Sequence, residues 1–267
     1  DMVNDICGFA DPEMPRVCAE RDVAVAKMAS PPDLERPGAV EDVDDIYDAL
    51  RREGLTDKTI VDPAFGGWSE AKTLEDDRET FRRLREFRAL DRPILVSINR
   101  KNFLRDLAGR STEEALPVSL AATAMAVERG AHVIRTHDVA ETRDAALVGD
   151  AFTRERLREP DGDVTVEQLD VTTTREMGRH LDRIGGDDAA ARHGTTRVFE
   201  LGGLSPTERD ALADAARGTP VTVAGGGGTD GRLLAGTPAD LSAFVESATG
   251  RSDALDRALA AVESVDD

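Results

Sequence analysis

Short apolar runs alternate with stretches of helical period through roughly the first 150 residues. Residues 2–6 and 23–28 read as strands, with a helix over 12–21 between them. In 40–52, Val40, Val43, Ile46 and Leu50 recur every three or four positions and so line one face of a helix. A short strand over 59–61 runs into Asp62-Pro63, and a helix over 79–90 stops before Pro93. A strand over 94–98, an Ala- and Leu-rich helix over 113–129 closed by Gly130, a strand over 132–136 and a helix over 140–152 complete the series. Five strands separated by helices imply parallel neighbours, because each parallel return needs a long crossover. A doubly wound sheet and a barrel both fit the alternation. Asn4, Asp62, Lys101 and Arg135 each fall at or just after the C-terminal end of a strand, the ligand-binding end in both architectures, and this favours the barrel.

A charged linker with Pro160 and Gly162 spans 153–163. A second, smaller α/β unit follows over 164–267, read as βαβαβα, with strands at 164–169, 197–201 and 220–224. Ser205-Pro206-Thr207-Glu208 carries the signature of a capping box at a helix start. The glycine run 225–228 suits a turn or an anion cradle, but no Lys-Ser/Thr follows it, so it is not a P-loop.

Composition narrows the partners. With 267 residues and 40% hydrophobic content the chain can build a sizeable core. Its formal charge of −19 opposes binding to nucleic acid or to an anionic membrane surface. Only four of the 34 basic residues are lysines: Lys27, Lys58, Lys72 and Lys101. Abundant carboxylates with so little lysine suit a protein adapted to concentrated salt, where a Debye length of about 3 Å at 1 M screens their repulsion. Two cysteines, Cys7 and Cys18, make neither a disulfide framework nor a metal site. No apolar run approaches the ~18 residues of a membrane span, no signal peptide is visible, and a cytoplasmic location is expected.

Four motifs at strand ends carry the chemistry: Asn4-Asp5-Ile6, Asp62-Pro63-Ala64-Phe65-Gly66, Ser97-Ile98-Asn99-Arg100-Lys101 and Arg135-Thr136-His137-Asp138-Val139. A carboxylate can accept two hydrogen bonds from an N–H-rich ring, and Arg with His suits a diphosphate. Each has a plainer alternative. Asp62 also suits a turn before Pro63, Asn4 a strand-end backbone contact and Lys101 a surface charge. Arg135 also suits an ion pair with Asp138, and His137 a packed loop. His132, at the wrong end of its strand, is structural.

In order and spacing, the four motifs resemble the dihydropteroate synthases, a pterin-binding TIM-barrel family of folate synthesis. The resemblance implies a (β/α)8 barrel of which the last five strands are present over 1–152, as the C-terminal portion of a longer chain. It implies condensation of 6-hydroxymethyl-7,8-dihydropterin diphosphate with 4-aminobenzoate to give 7,8-dihydropteroate and pyrophosphate. By the same resemblance Asn4, Asp62 and Lys101 hold the pterin and Arg135 and His137 hold the diphosphate; Asn99 and Trp68, at departures from the family pattern, are candidate aminobenzoate contacts, and Trp68 suits loop packing equally well. Mg2+ assists, with no metal ligand in this chain. A homodimer and an upstream fused folate-pathway domain of haloarchaeal type are the implied partners. Departures from the family pattern are Ala64 for Gly, Asn99 for Ser, Gly67-Trp68-Ser69 for Phe-Gly-Lys, and Lys27 in a strand that usually reads Leu-Met-His-Met. A pterin-binding methyltransferase domain shares part of the pattern but has no diphosphate to hold. A non-catalytic pterin-binding module is the third reading.

Overall fold

Residues 24–28 form a strand buried on both faces, and the register with neighbouring strands sorts their side chains onto those faces. A computed structural model describes residues 1–265 apart from 32, 36, 53, 67–70, 162–163 and 226–229. The chain divides into two units, Asp1–Leu157 and Arg158–Asp267.

The first unit is a five-stranded parallel sheet in sequential order, β1 (Met2–Asp5), β2 (Ala24–Met28), β3 (Thr59–Asp62), β4 (Ile94–Val96) and β5 (Ala131–Ile134). Asn4 pairs with Ala26 and Met28 with Asp62, so Asn4, Ala26, Met28 and Asp62 share one face while Lys27 and Val61 share the other. The helices are α1 (Glu13–Glu20), α2 (Val43–Arg51), α3 (Leu74–Arg82), α4 (Asn102–Ala108), α5 (Leu116–Glu128) and α6 (Val139–Ala151). Helix α2 shows why they dock. Asp42 caps it by accepting from the Asp44 N–H at 2.7 Å, and Val43, Ile46, Tyr47, Ala49 and Leu50 are buried while Asp44, Asp45 and Asp48 face water.

The sheet is strongly bent. Four spacings of about 4.8 Å would put the outer strands of a flat sheet about 19 Å apart. Yet Arg135, just after β5, donates from Nη1 to Asn4 Oδ1 on β1 at 3.3 Å.

Two features of this unit differ from the sequence reading. Helix α3 begins at Leu74 rather than 79, because Thr73 and Asp76 form a reciprocal capping box there; a 3-10 segment, Leu84–Leu90, completes the span. Helix α4 was not expected. It has only seven residues and ends at Gly109 in a left-handed conformation.

The second unit corrects the βαβαβα reading. Residues Arg158–Asp161 (β6), placed in the linker by sequence, pair antiparallel with β7 (Val164–Glu167). After α7 (Thr174–Ile184), strands β8 (Arg197–Leu201), β9 (Thr222–Ala224) and β10 (Arg232–Gly236) form an antiparallel sheet in the order β8-β10-β9. Strand β9 ends at Ala224 and β10 begins at Arg232, a connection too short for the crossover that a parallel return needs. Strand β10 escaped the pattern because its apolar pair, Leu233-Leu234, is adjacent rather than alternating. Helix α8 (Pro206–Ala216) starts at the expected capping box, with Ser205 accepting from the Glu208 N–H and the Glu208 carboxylate accepting from the Ser205 N–H. With α9 (Pro238–Ala248) and α10 (Asp253–Glu263) it encloses a core of Leu212, Leu234, Leu241, Phe244, Leu255 and Leu259. Of the glycine run, 226–228 lies outside the described residues.

Among the described residues no helix is long and apolar enough to cross a membrane. With −19 charges to screen, the midpoint of thermal unfolding is expected to rise steadily from about 0.1 M to about 2 M KCl. Calorimetry checks this; a midpoint indifferent to salt would contradict the salt-adapted reading.

Candidate active site

Strand β3 ends on Asp62, whose Oδ1 accepts from the Ala64 N–H at 2.9 Å. This closes a tight turn that holds Ala64 at φ +61°, a left-handed conformation that glycine adopts more easily. Ala64→Gly is expected to raise stability by about 1 kcal/mol, read by urea unfolding. Asp62 itself is 1% exposed, and its Oδ2 has no hydrogen-bond partner among the described residues. Burial pushes its carboxyl above the ordinary range, opposed by the Ala64 N–H and by the charges of Arg135, Lys101 and Lys72.

Lys101 precedes α4. Its ammonium packs on the Asp62 loop: a Cβ at Gly66 would lie 2.6 Å from Nζ, and Gly66 has φ +109°. Burial, then the Arg135 charge, holds Lys101 below the usual lysine range.

Arg135 spans three strand ends. It donates from Nη1 to Asn4, from Nε to Ser97 Oγ at 3.1 Å, and brings Nη2 to 4.0 Å from Asp62 Oδ2. The expected alternative of an Arg135–Asp138 pair is replaced by another: Arg100 forks onto Asp138 at 2.8 and 3.1 Å and donates to the carbonyls of Thr112 and Glu113. The Arg100 hydrogen bond holds the Asp138 carboxyl well down, at about 2.

Asn99 uses both ends of its amide within the protein. Nδ2 donates to Asp138 at 2.9 Å and Oδ1 accepts from the His137 N–H at 3.3 Å. The His137 side chain is exposed beside this network. The structure therefore brings Asn4, Asp62, Lys101 and Arg135 together, sets Asn99 and His137 next to them, and leaves Trp68 outside the described residues.

Lys27 points away from this face. Its Nζ donates to the carbonyls of Leu50 and Arg52 at 3.2 and 3.0 Å, and lies 5.1 Å from the centre of the Phe9 ring. His132 accepts from the Ile94 N–H at 3.2 Å, at the opposite end of the sheet, in keeping with a structural role.

Sequence reasoning missed Lys72 and Asp77. Lys72 Nζ donates to the Ala64 carbonyl at 2.8 Å and lies 3.3 Å from Asp77 Oδ1, while both Asp77 oxygens accept from the Gly66 N–H at 3.1 Å. The signal was available: in a chain with four lysines, each one outside the solvated surface merits a structural account.

A parallel α/β wall that gathers a buried carboxylate, a lysine and an arginine at its strand ends is built to hold a polar small molecule. The profile of the family described as pterin binding enzyme matches residues 1–137, ending within the Arg135 motif. The chain belongs to the pterin-binding enzymes. A probable bifunctional folylpolyglutamate synthase/dihydropteroate synthase of Haloferax volcanii is 37% identical over 161 residues, 55% of this chain and 19% of that protein. The dihydropteroate synthase of Escherichia coli is 30% identical over 162 residues, 56% of each chain. The dihydropteroate synthase of Thermus thermophilus, solved in complex with 4-aminobenzoate, superposes with a TM-score of 0.50 at 31% identity, covering 57% of this chain and 62% of that one. The same enzyme solved with 6HMPPP gives the same score and identity and is covered over 64% of its length. The chain thus spans only part of each of these relatives.

Proposed function

We propose that this chain is the pterin-holding part of a dihydropteroate synthase, contributing five strands of a (β/α)8 barrel to which the unit 158–267 is appended. The observation that carries the reading is Asp62 Oδ2, a buried carboxylate oxygen without a hydrogen-bond partner among the described residues. Buried acceptors are almost always satisfied, and a ring presenting adjacent N–H donors would satisfy this one. Lys101, packed on the same loop, lies beside such a ring, and Asn4 faces it from β1.

In the proposed reaction the amine nitrogen of 4-aminobenzoate forms a bond to the pterin methylene carbon as that carbon's bond to the diphosphate oxygen breaks. Pyrophosphate leaves with the electron pair, and the amine proton passes to solvent. The chief electrostatic demand is charge on the leaving group. Arg135 meets it with a planar guanidinium already oriented by Asn4 and Ser97, with His137 beside it. Among the described residues no group of three or more His, Cys, Asp or Glu is placed to hold a metal. Mg2+ in such sites takes most of its ligands from substrate phosphates and water, and no step here runs through the ion. The bifunctional Haloferax relative supports an upstream folylpolyglutamate synthase domain in the longer protein.

The test is calorimetric titration of the chain with dihydropterin diphosphate in molar KCl. Saturable binding in competition with pyrophosphate is expected. Binding of methyl-tetrahydrofolate in its place would favour a methyltransferase, and no pterin binding would overturn the proposal.

A further inference from the structure

The Asp62 loop is gripped from behind. Phe65 is buried and stacks on Phe103 at 5.8 Å. On either side of it the loop offers one backbone group to the protein, the Ala64 carbonyl and the Gly66 N–H. Lys72 takes the first and Asp77 the second, and the two side chains, 0% and 3% exposed, lie 3.3 Å apart. Gly66 in turn is the surface on which the Lys101 ammonium rests.

A fully buried ion pair seldom stabilises a fold relative to apolar side chains of the same size. This one spends both its charges on the backbone of a single loop. We infer that Lys72 and Asp77 are positioning residues: they hold Ala64 and Gly66 so that Asp62 Oδ2 and Lys101 Nζ keep the spacing the pterin needs. The pterin as ligand rests on the proposed function; the grip on the loop does not.

The test replaces the pair by apolar side chains, Lys72→Met with Asp77→Leu. Amide hydrogen exchange is followed in molar KCl, and dihydropterin diphosphate is titrated into the same samples. The double variant is expected to unfold at or above the parent's denaturant midpoint. Its Gly66 amide exchanges about tenfold faster or more, pterin affinity falls about tenfold, the worth of one charge-assisted hydrogen bond, and protection in β1 and β2 is unchanged. Lys72→Met alone is expected to move Gly66 exchange in the same direction. Gly66 exchange and pterin affinity within twofold of the parent would overturn the inference. So would a loss of protection throughout the first unit, which would make the pair merely structural. If the parent itself binds no pterin, the proposed function fails, and Gly66 exchange alone decides the positioning role.

Discussion

Asp62→Asn is expected to weaken binding of dihydropterin diphosphate by about two orders of magnitude while leaving the fold intact. The amide keeps one acceptor for the Ala64 N–H but presents an NH2 group where the ligand requires an acceptor. It forfeits hydrogen bonds to a charged group worth about 1.5–3 kcal/mol each. Stability should move the other way. The Asp62 carboxyl sits above its unfolded value because it is buried. Between the unfolded and the raised folded value the native state holds more protons than the unfolded chain, so stability falls as pH rises through that window. Above the window the full cost of the buried charge is present, and the neutral amide removes it. The parent should therefore bind pterin less well as pH falls through the raised value, whereas the variant shows a flat profile. Titration calorimetry against pH, with urea unfolding on the same samples, reads both. Unchanged affinity in the variant would detach Asp62 from the ligand.

The same residue shows what a sequence can reveal. Asp62-Pro63 at a strand end is visible as a pattern, and strand order plus register then fixes the face it shares with Asn4. Period-2 alternation likewise predicts that Lys27 and Asp62 cannot share a face once Met28 is paired with Asp62. What the pattern could not supply is contact between segments far apart in the chain. The Arg135–Asn4 bond spans 131 residues and depends on how strongly the sheet bends. The Arg100–Asp138 fork took the carboxylate that sequence reading offered to Arg135, a contact across 38 residues that no local pattern announces. The second unit was less legible still. Short strands of mixed polarity say little about their partners, and an antiparallel sheet and a βαβ unit begin with the same apolar runs. Lysine scarcity proved informative beyond its bearing on salt: Lys27 and Lys72 are buried and Lys101 half-buried, leaving Lys58 as the one exposed lysine of four.

Lys27 gives the largest expected effect on stability. It is fully buried, and its ammonium donates to the Leu50 and Arg52 carbonyls at the C-terminal end of α2, where a helix leaves acceptors unmatched and favours a cation. Burial nevertheless dominates and, with the Arg52 charge, lowers its pKa to about 8 from the ordinary 10.5. Between those values the unfolded chain binds the proton that the native state has released, so stability rises with pH across the window. The contribution from Lys27 is expected to grow by about 3 kcal/mol, at about 1.4 kcal/mol for each pH unit crossed. Lys27→Met has no proton to release and should lack this rise, while leaving two helix-end carbonyls without their donor at every pH. Urea unfolding of parent and variant in molar KCl, at pH values from about 7 to the ordinary lysine value, measures the difference directly. The two stability curves should diverge above about pH 8, with the parent gaining. Parallel curves would show that Lys27 remains charged in the native state throughout, and that the Leu50 and Arg52 carbonyls and the Phe9 ring compensate its burial in full.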